Sequence, residues 1–249
     1  MTESIGIIVG SGFESLGLEI AARSPTKTPY GEPSSPVLTL QIGEQRVACI
    51  ARHGERHGLA PHEINYRANL WALHERGVRT CIGVNAVGAI APGFAPGDLA
   101  LPDQLIDYTW GRAGTFGSDG RVVHVDFTEP FDPVLRGRLA AAVAHCGLEV
   151  RAGTYGVTQG PRLETAAEID RLERDGCAMV GMTALPEAAL ARELGWAYAI
   201  CAVAVNYAAG RSPGGVPIVA EIAASLASGM RRVAEVVRRV TPSLAGDAM

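Results

Sequence analysis

The chain has 249 residues, enough for one large α/β domain or two small ones. Apolar residues make up 47% of it and charged residues 19%, which excludes an intrinsically disordered chain. The net charge of −4 gives no electrostatic reason to expect a nucleic acid or an anionic membrane as partner, and the apolar runs are too short to cross a bilayer.

The hydrophobic pattern predicts strands and helices that alternate along the chain. Predicted strands cover residues 5–9, 37–42, 46–51, 80–84, 98–106, 152–158, 177–180 and 197–205. Predicted helices cover residues 64–75, 133–145, 164–174, 186–194 and 219–240. Short loops marked by Gly or Pro separate them, so we expect an α/β fold in one domain over residues 1–249, with its core from about 5 to 240. A central mixed β-sheet should be flanked by helices on both faces.

The cysteines and the N-terminal residues both favour a cytoplasmic protein. Five cysteines are scattered without a CxxC pair, mostly among apolar neighbours, which is typical of buried free thiols in a reducing compartment. The first ten residues lack the basic-then-apolar signature of a signal peptide.

Polar residues follow four of the predicted strands, at Ser11, Arg52-His53, Asn85-Ala86 and Asn206. In open α/β sheets ligands bind at the carboxyl ends of the strands, so these positions predict one common site. Gly10-Ser11-Gly12 lacks the third glycine of a dinucleotide fingerprint, because position 15 is Ser15. A small anion-binding turn with one hydroxyl fits it better, although a plain structural turn is equally compatible.

The run Arg52-His53-Gly54-Glu55-Arg56-His57 favours a phosphate site. The Arg52 guanidinium offers two parallel donors and the His53 imidazole offers a third. Two alternatives are a solvated surface loop and a metal site that uses His53, His57 and His62. The spacing of these histidines does not place them on one helix face, so we expect no metal.

The remaining candidates each have a structural alternative. Glu164 could simply complement a helix dipole, and Thr183 could cap the following helix. Met182 could be a core residue. Asn206 could only initiate a turn, although an amide that ends an apolar strand must find partners.

Read together, these motifs resemble the trimeric nucleoside phosphorylases, which include purine nucleoside phosphorylase and methylthioadenosine phosphorylase. The resemblance runs from about residue 5 to 238 and is carried by IGIIVGSGF, ARHGERH, NYRANLWAL, VNAVGAI, PGDLALPDQLIDYT, TQGPRLET, MVGMTALPEAALARELG and AVNYAAG. It is greatest to the branch that acts on S-methyl-5′-thioinosine.

The resemblance implies a homotrimeric pentosyltransferase of purine salvage that uses inorganic phosphate as co-substrate and no cofactor. It implies catalytic roles for His53, Glu164 and Asn206. The implied phosphate-binding residues are Ser11, Arg52, His53, Ala86 and Thr183, and the implied substrate-binding residues are Glu164, Met182, Asn206, Ala208 and Ile218.

The base-reading residues depart from those of methylthioadenosine phosphorylase, where aspartates stand in the segment that reads Asn206-Tyr207-Ala208 here. An Asn amide can donate to O6 and N7 of a 6-oxopurine, and Glu164 can accept the N1–H that adenine lacks. No His follows His145, and the loop near Ile218 is apolar, which suits a 5′-methylthio group. The alternatives that stay open are a general purine nucleoside phosphorylase, a methylthioadenosine phosphorylase, a hydrolytic nucleosidase and a non-enzymatic binding protein.

Overall fold

The computed structural model describes residues 3–117, 120 and 122–245. Within these residues eleven strands form one mixed sheet. The strands are β1 (Ile5–Val9), β2 (Glu19–Ser24), β3 (Val37–Ile42), β4 (Gln45–Ala51), β5 (Thr80–Ala89), β6 (Leu99–Ala100), β7 (Gln104–Asp107), β8 (Val150–Arg151), β9 (Thr154–Val157), β10 (Cys177–Gly181) and β11 (Ala197–Tyr207). The helices are α1 (Tyr66–Glu75), α2 (Pro133–His145), α3 (Ala166–Arg174), α4 (Ala184–Glu193) and α5 (Ile218–Leu244).

The sheet forks along β5. β11 runs parallel to β5 over its whole length, while β1 pairs in parallel with Thr80–Val84 on the other edge. On that second edge of β5, the next pairing is at Gly88 and Ala89, with which β10 pairs antiparallel. Between the two pairings, residues 85–87 of β5 pair with neither β1 nor β10.

Two helical layers cover the sheet, and successive side chains along a strand pack alternately against one layer and the other. In β1, Ile8 packs into a core with the inner faces of α1 and α4, while Ile7 and Val9 pack into a second core with α2 and α5. A smaller third cluster joins α3 to β10. This arrangement confirms the predicted α/β fold with a mixed sheet between helices.

Capping residues explain where three of the helices begin. The predicted helix at 64–75 begins at Tyr66 because the Asn65 side chain accepts a hydrogen bond from the Ala68 N–H. The one predicted at 164–174 begins at Ala166, because Thr165 and Glu168 form a capping box. α2 begins as predicted, with Asp132 as cap and Pro133 in its first turn.

Two strand predictions were wrong in detail, and one strand was missed. The strand predicted at 80–84 continues to Ala89, because β11 pairs with the segment beyond Val84. Asn85 and Ala86 therefore lie inside a strand and do not form a turn. The strand predicted at 98–106 is two short strands separated at Leu101–Asp103, and β2 was not predicted at all. β2 escapes hydrophobic patterning because half of its side chains are exposed.

Within the described part of the chain no helix is long and apolar enough to span a membrane. The five cysteines are free; four are buried and Cys146 is half-buried. The buried thiols agree with the prediction from their apolar neighbours.

Candidate active site

A cavity of about 360 Å³ opens at the fork in the sheet. Its volume is in the range of small-molecule sites. It gathers residues from chain segments that are far apart in sequence. Its walls are Gly10, Ser11, Arg52, His53, His57, Gly58, Leu59, Ala60, Pro61, Ala86, Val87, Gly88, Pro161, Leu163, Glu164, Val180, Gly181, Met182, Thr183, Val205, Asn206, Ile222 and Leu226.

Arg52 lies at the bottom of the cavity, fully buried and ion-paired with the equally buried Glu187. Its Nε and Nη2 donate to the two carboxylate oxygens of Glu187 at 2.8 and 2.7 Å. Nη1 donates to the Val84 carbonyl at 3.0 Å, on the strand where β1 stops pairing. Burial lowers the pKa of Arg52, but the Glu187 carboxylate outweighs burial and holds the pKa above its ordinary value.

This pairing changes the role that the sequence predicted for the guanidinium. The two parallel donors expected to grip phosphate are used by Glu187, so only the Nη1 side is left for an anion. Gly10 allows this approach, because a Cβ at that position would lie 2.7 Å from Nη1 of Arg52. The Glu187 carboxylate thus largely balances the positive charge of Arg52 at the base of the cavity.

The His53 imidazole is held in one tautomer. Its Nδ1 is 2.8 Å from the Leu59 carbonyl, which can only accept, so Nδ1 carries the proton. Burial lowers the pKa of His53 to about 4, helped by the charge of Arg52 and by His57 and opposed by the bond to Leu59. At neutral pH the ring is uncharged and Nε2 presents a lone pair. The sequence predicted a donor here; the structure gives an acceptor.

Ser11 and His57 form a second layer beside His53. The Ser11 hydroxyl lies 2.9 Å from Nε2 of His57, and the His57 ring stacks on His53 with centroids 4.5 Å apart. His57 has a left-handed backbone, with φ 52°, which is unusual for a residue other than glycine. This strained conformation holds the ring over His53, and no pattern in the sequence predicts it.

Thr183 does not cap the helix that follows it. Its hydroxyl makes no capping bond with α4 and instead accepts from Nδ2 of Asn85 at 3.0 Å. The side-chain Oδ1 of Asn85 accepts in turn from Nη2 of Arg52 at 3.3 Å. Asn85 therefore links the guanidinium to the Thr183 hydroxyl, whose proton is free to point at a ligand.

Glu164 lies at the opposite side of the cavity, just before the cap of α3. Its Oε1 accepts a hydrogen bond of 2.6 Å from the Thr158 hydroxyl. Glu164 lies outside the helix, and the acidic residue within the first turn of α3 is Glu168. The carboxylate of Glu164 lines the cavity and keeps acceptor capacity for a ligand.

Asn206 is buried near the end of β11, at a register shift in its pairing with β5. One N–H of its amide donates to the Tyr207 carbonyl at 2.7 Å. The second N–H and Oδ1 make no hydrogen bond within the described part of the chain. A Cβ at Gly88 would lie 3.2 Å from this amide, so the glycine makes room for it. Asn206 thus has one donor and one acceptor for a ligand.

Of the four remaining predicted residues, Met182 and Ala86 line the cavity. Met182 is half-buried and lines the cavity, so it is not a core residue. Ala208 lies behind the wall in the α3–β10 core, and Ile218 lies at the first position of α5, outside the wall. The apolar wall comes from Ile222 and Leu226, one and two turns further along the same helix face.

Glu187, the partner of Arg52, was missed by sequence reasoning. Glu187 had one signal, since a carboxylate between Ala184 and Ala191 in an otherwise apolar segment must find a partner.

Ala86 lies in β5 opposite Val203 and lines the cavity as predicted. In the described ranges no three His, Cys, Asp or Glu side chains come together as metal ligands.

The chain is similar to known proteins over nearly its whole length. A model of the phosphorylase superfamily matches residues 4–242. A "probable S-methyl-5′-thioinosine phosphorylase" from Xylella fastidiosa is 47% identical, covering 96% of this chain and 98% of the relative. A 6-oxopurine nucleoside phosphorylase from Pyrococcus furiosus is 47% identical, covering 84% of this chain and 81% of that protein.

The fold has a close match among solved structures. Methylthioadenosine phosphorylase from Schistosoma mansoni, in complex with adenine, superposes with a TM-score of 0.93 at 29% identity, covering 98% of this chain and 93% of that one. With the family model and these relatives, the chain belongs to the phosphorylase superfamily.

Proposed function

We propose that this protein is an S-methyl-5′-thioinosine phosphorylase. It cleaves the bond between N9 of hypoxanthine and C1′ of the sugar, and phosphate oxygen forms the new bond to C1′. The products are hypoxanthine and 5-methylthioribose 1-phosphate. The observation that carries the proposal is that Glu164 and Asn206 line the same cavity as Ser11, Arg52 and Thr183.

Phosphate occupies the end of the cavity at the fork in the sheet. The Thr183 and Ser11 hydroxyls and Nη1 of Arg52 donate to its oxygens. His53 accepts from its P–OH, because Nε2 is unprotonated. Hydrogen phosphate keeps a P–OH at neutral pH, so its protons match this mixed set of donors and one acceptor.

The purine occupies the other end, between Glu164 and Asn206. The Glu164 carboxylate accepts from N1–H, and the free Asn206 N–H donates to O6 or N7. An adenine base carries no N1–H and places an amino group at position 6, so it leaves the carboxylate unmatched. A site with buried polar groups rejects an unmatched base strongly, since those groups lose their partners.

The sugar spans the two ends beside Met182. The wall from Val205, Ile222 and Leu226 is apolar and suits a 5′-methylthio group. As the C1′–N9 bond lengthens, positive charge grows on the sugar and negative charge on the purine. The phosphate anion stabilises the first charge and Asn206 stabilises the second by its N–H. The site acts by positioning and by charge stabilisation.

Release of free base in the presence and absence of phosphate tests this reaction. Methylthioinosine, inosine, guanosine and methylthioadenosine are compared side by side, with the products separated by chromatography. We expect phosphate-dependent release of hypoxanthine, fastest from methylthioinosine. Release without phosphate would favour a nucleosidase, and a preference for methylthioadenosine would contradict the proposed base recognition.

Asn206→Asp gives the sharper test of that recognition. The carboxylate cannot donate to O6 or N7, so kcat/KM for methylthioinosine should fall by about 100-fold, the loss typical of one transition-state donor. A melting temperature close to that of the unmodified enzyme serves as the control for folding. Full retention of activity on methylthioinosine would overturn the assignment of Asn206.

The proposal includes a homotrimeric assembly in the cytoplasm and a role in purine salvage. It includes no metal and no cofactor beyond the co-substrate phosphate. The resemblance of the motifs to the trimeric phosphorylases supports the assembly. Whether phosphorolysis survives prolonged treatment with a chelator tests the metal-free mechanism, and loss of activity that Mg²⁺ or Zn²⁺ restores would contradict it.

A further inference from the structure

A guanidinium outside the cavity holds two of its walls together. Arg112 follows β7 and does not line the cavity. Its Nη1 donates to the Met182 and Leu185 carbonyls, both at 2.7 Å. Its Nη2 donates to the Gln159 carbonyl at 2.9 Å and to the Thr158 carbonyl at 3.4 Å. One planar group therefore connects the segment after β10 with the segment after β9.

Both segments carry residues of the proposed site. Met182 and Leu185 flank Thr183, whose hydroxyl faces the phosphate end. Thr158 uses its hydroxyl to hold the carboxylate of Glu164, which faces the base. The two sets of carbonyls thus sit directly behind the residues that contact opposite ends of the substrate.

Arg112 also reaches a third wall through Tyr66. Its Nη1 lies 3.4 Å from the Tyr66 hydroxyl oxygen, and its guanidinium carbon lies 5.6 Å from the centre of that ring. The Tyr66 hydroxyl donates to the carbonyl of Pro61, which lines the cavity. The neighbouring Nε of Arg112 is buried and has no hydrogen-bond partner. Leaving that group unpaired costs free energy, which the four carbonyl contacts offset.

We propose that Arg112 is a positioning residue that fixes the separation between Thr183 and Glu164, and hence between phosphate and purine. This inference rests on the proposed function for the identity of the two ligands. Phosphorolysis needs phosphate oxygen and the sugar carbon within reacting distance, and a displacement of about 1 Å lowers the rate by on the order of 100-fold. Four backbone carbonyls on two segments demand a planar group with several donors, which Lys does not supply.

The test compares Arg112→Met and Arg112→Lys with the unmodified enzyme. We expect kcat/KM for methylthioinosine to fall by on the order of 10- to 100-fold in both variants, with the KM for phosphate and for nucleoside raised. A purely structural role would reduce the amount of folded enzyme, and so the apparent kcat, and leave both KM values unchanged. Unchanged KM values in both variants would overturn the proposal.

Arg171→Met is the matched control. Arg171 stacks over Tyr108 in the same region and pairs with Asp175, and within the described part of the chain it makes no hydrogen bond or ion pair with either of the two segments. It should keep both KM values. If Arg171→Met raised them as much as Arg112→Met, the effect would be general to this region, and Arg112 would lose its assigned role.

Binding measurements separate this proposal from the proposed function. Inorganic phosphate and hypoxanthine are titrated by calorimetry, each alone and each in the presence of the other. In the Arg112 variants we expect nearly unchanged binding of each alone and a weaker effect of one on the other. Failure of the unmodified protein to bind either ligand would overturn the proposed function. Unchanged mutual effects in Arg112→Lys would overturn the positioning role.

Discussion

At the scale of single residues, the buried pair of Arg52 and Glu187 dominates the site. Both side chains are fully buried, and Glu187 also accepts a hydrogen bond of 2.6 Å from the Tyr198 hydroxyl. Such a pair is held together by good geometry, because each ion has lost its hydration. Arg52 therefore contributes to folding as well as to the proposed phosphate site, and we expect its replacement to affect both.

Glu187→Gln should lower the free energy of unfolding by about 3–5 kcal/mol, because it leaves the Arg52 charge buried without a partner. Arg52→Met should cost a similar amount, for it leaves the carboxylate unpaired. The double variant should lose less than the sum of the two, since neither charge remains. Urea denaturation of the three variants measures this. Strictly additive losses would show that the two groups do not stabilise each other.

The protonation state of His53 makes a separate prediction about anion selectivity. Its pKa of about 4 leaves Nε2 unprotonated from about pH 5 to about pH 8, so the ring accepts from phosphate and repels an oxyanion without a proton. Sulfate carries no proton in this range. It should compete poorly with phosphate near neutrality and better as the pH falls towards the pKa of His53.

Competitive inhibition by sulfate across that pH range measures the effect. His53→Gln can place an amide N–H where Nε2 lies, and this donor does not depend on pH, so the variant should bind sulfate better near neutrality and lose the pH dependence. Sulfate inhibition that stays constant with pH in the unmodified enzyme would contradict the acceptor role of Nε2.

At the scale of the elements, the junction of β11 with α5 shapes the base end of the cavity. Glu221, in the first turn of α5, accepts from the Tyr207 N–H at 2.8 Å and from the Ser212 hydroxyl at 2.7 Å. These bonds tie the helix to the strand residue next to Asn206. They fix the position of Ile222 and Leu226 on the helix relative to the base-reading amide.

Glu221→Ala should therefore raise the KM for nucleoside several-fold while the KM for phosphate changes little. It should lower the free energy of unfolding by about 1–2 kcal/mol, as expected for lost hydrogen bonds to a charged acceptor. Glu235→Ala, on an exposed position of the same helix, is the matched control. An equal rise in both KM values would show that the hydrogen bonds of Glu221 do not act on the base end alone.

The sequence predicted most elements because their signals are local. Hydrophobic spacing marked every helix, and capping residues such as Asn65 and Thr165 decided the first turns within two positions. The extension of β5 beyond Val84 could not be predicted, since it depends on pairing with β11 more than 110 positions later. Ile218 was placed on the wall because the resemblance matched its apolar loop to the region near the 5′ end of the substrate, whereas the residues that reach the cavity lie one and two turns further along the same helix face.

Most residues of the candidate site could be predicted from the sequence, but its electrostatics could not. Motif resemblance placed Ser11, Arg52, His53, Glu164 and Asn206, and all of them line one cavity. Which donors stay free depends on tertiary partners. Glu187 lies 135 residues from Arg52, and the Leu59 carbonyl sets the tautomer of His53 only because the loop folds back. Neither relation has a local signal.

At the scale of the whole molecule, the proposed trimer makes a simple prediction. One chain has a mass of 26.1 kDa and exposes several large apolar side chains. These are Trp110, Val122, Val134, Leu163, Val216 and Val219. Light scattering on the purified protein should give three times the mass of one chain. A fully active protein with the mass of a single chain would contradict the trimer.

The long separation between Arg52 and Glu187 also bears on how the chain acquires its structure during synthesis. Arg52 emerges from the ribosome well before its counterion, and burying it without Glu187 would cost several kcal/mol. The first half of the sheet therefore has to keep this guanidinium hydrated until α4 arrives. Since α5 then supplies the last wall of the cavity, binding of phosphate and purine reports on a completed fold.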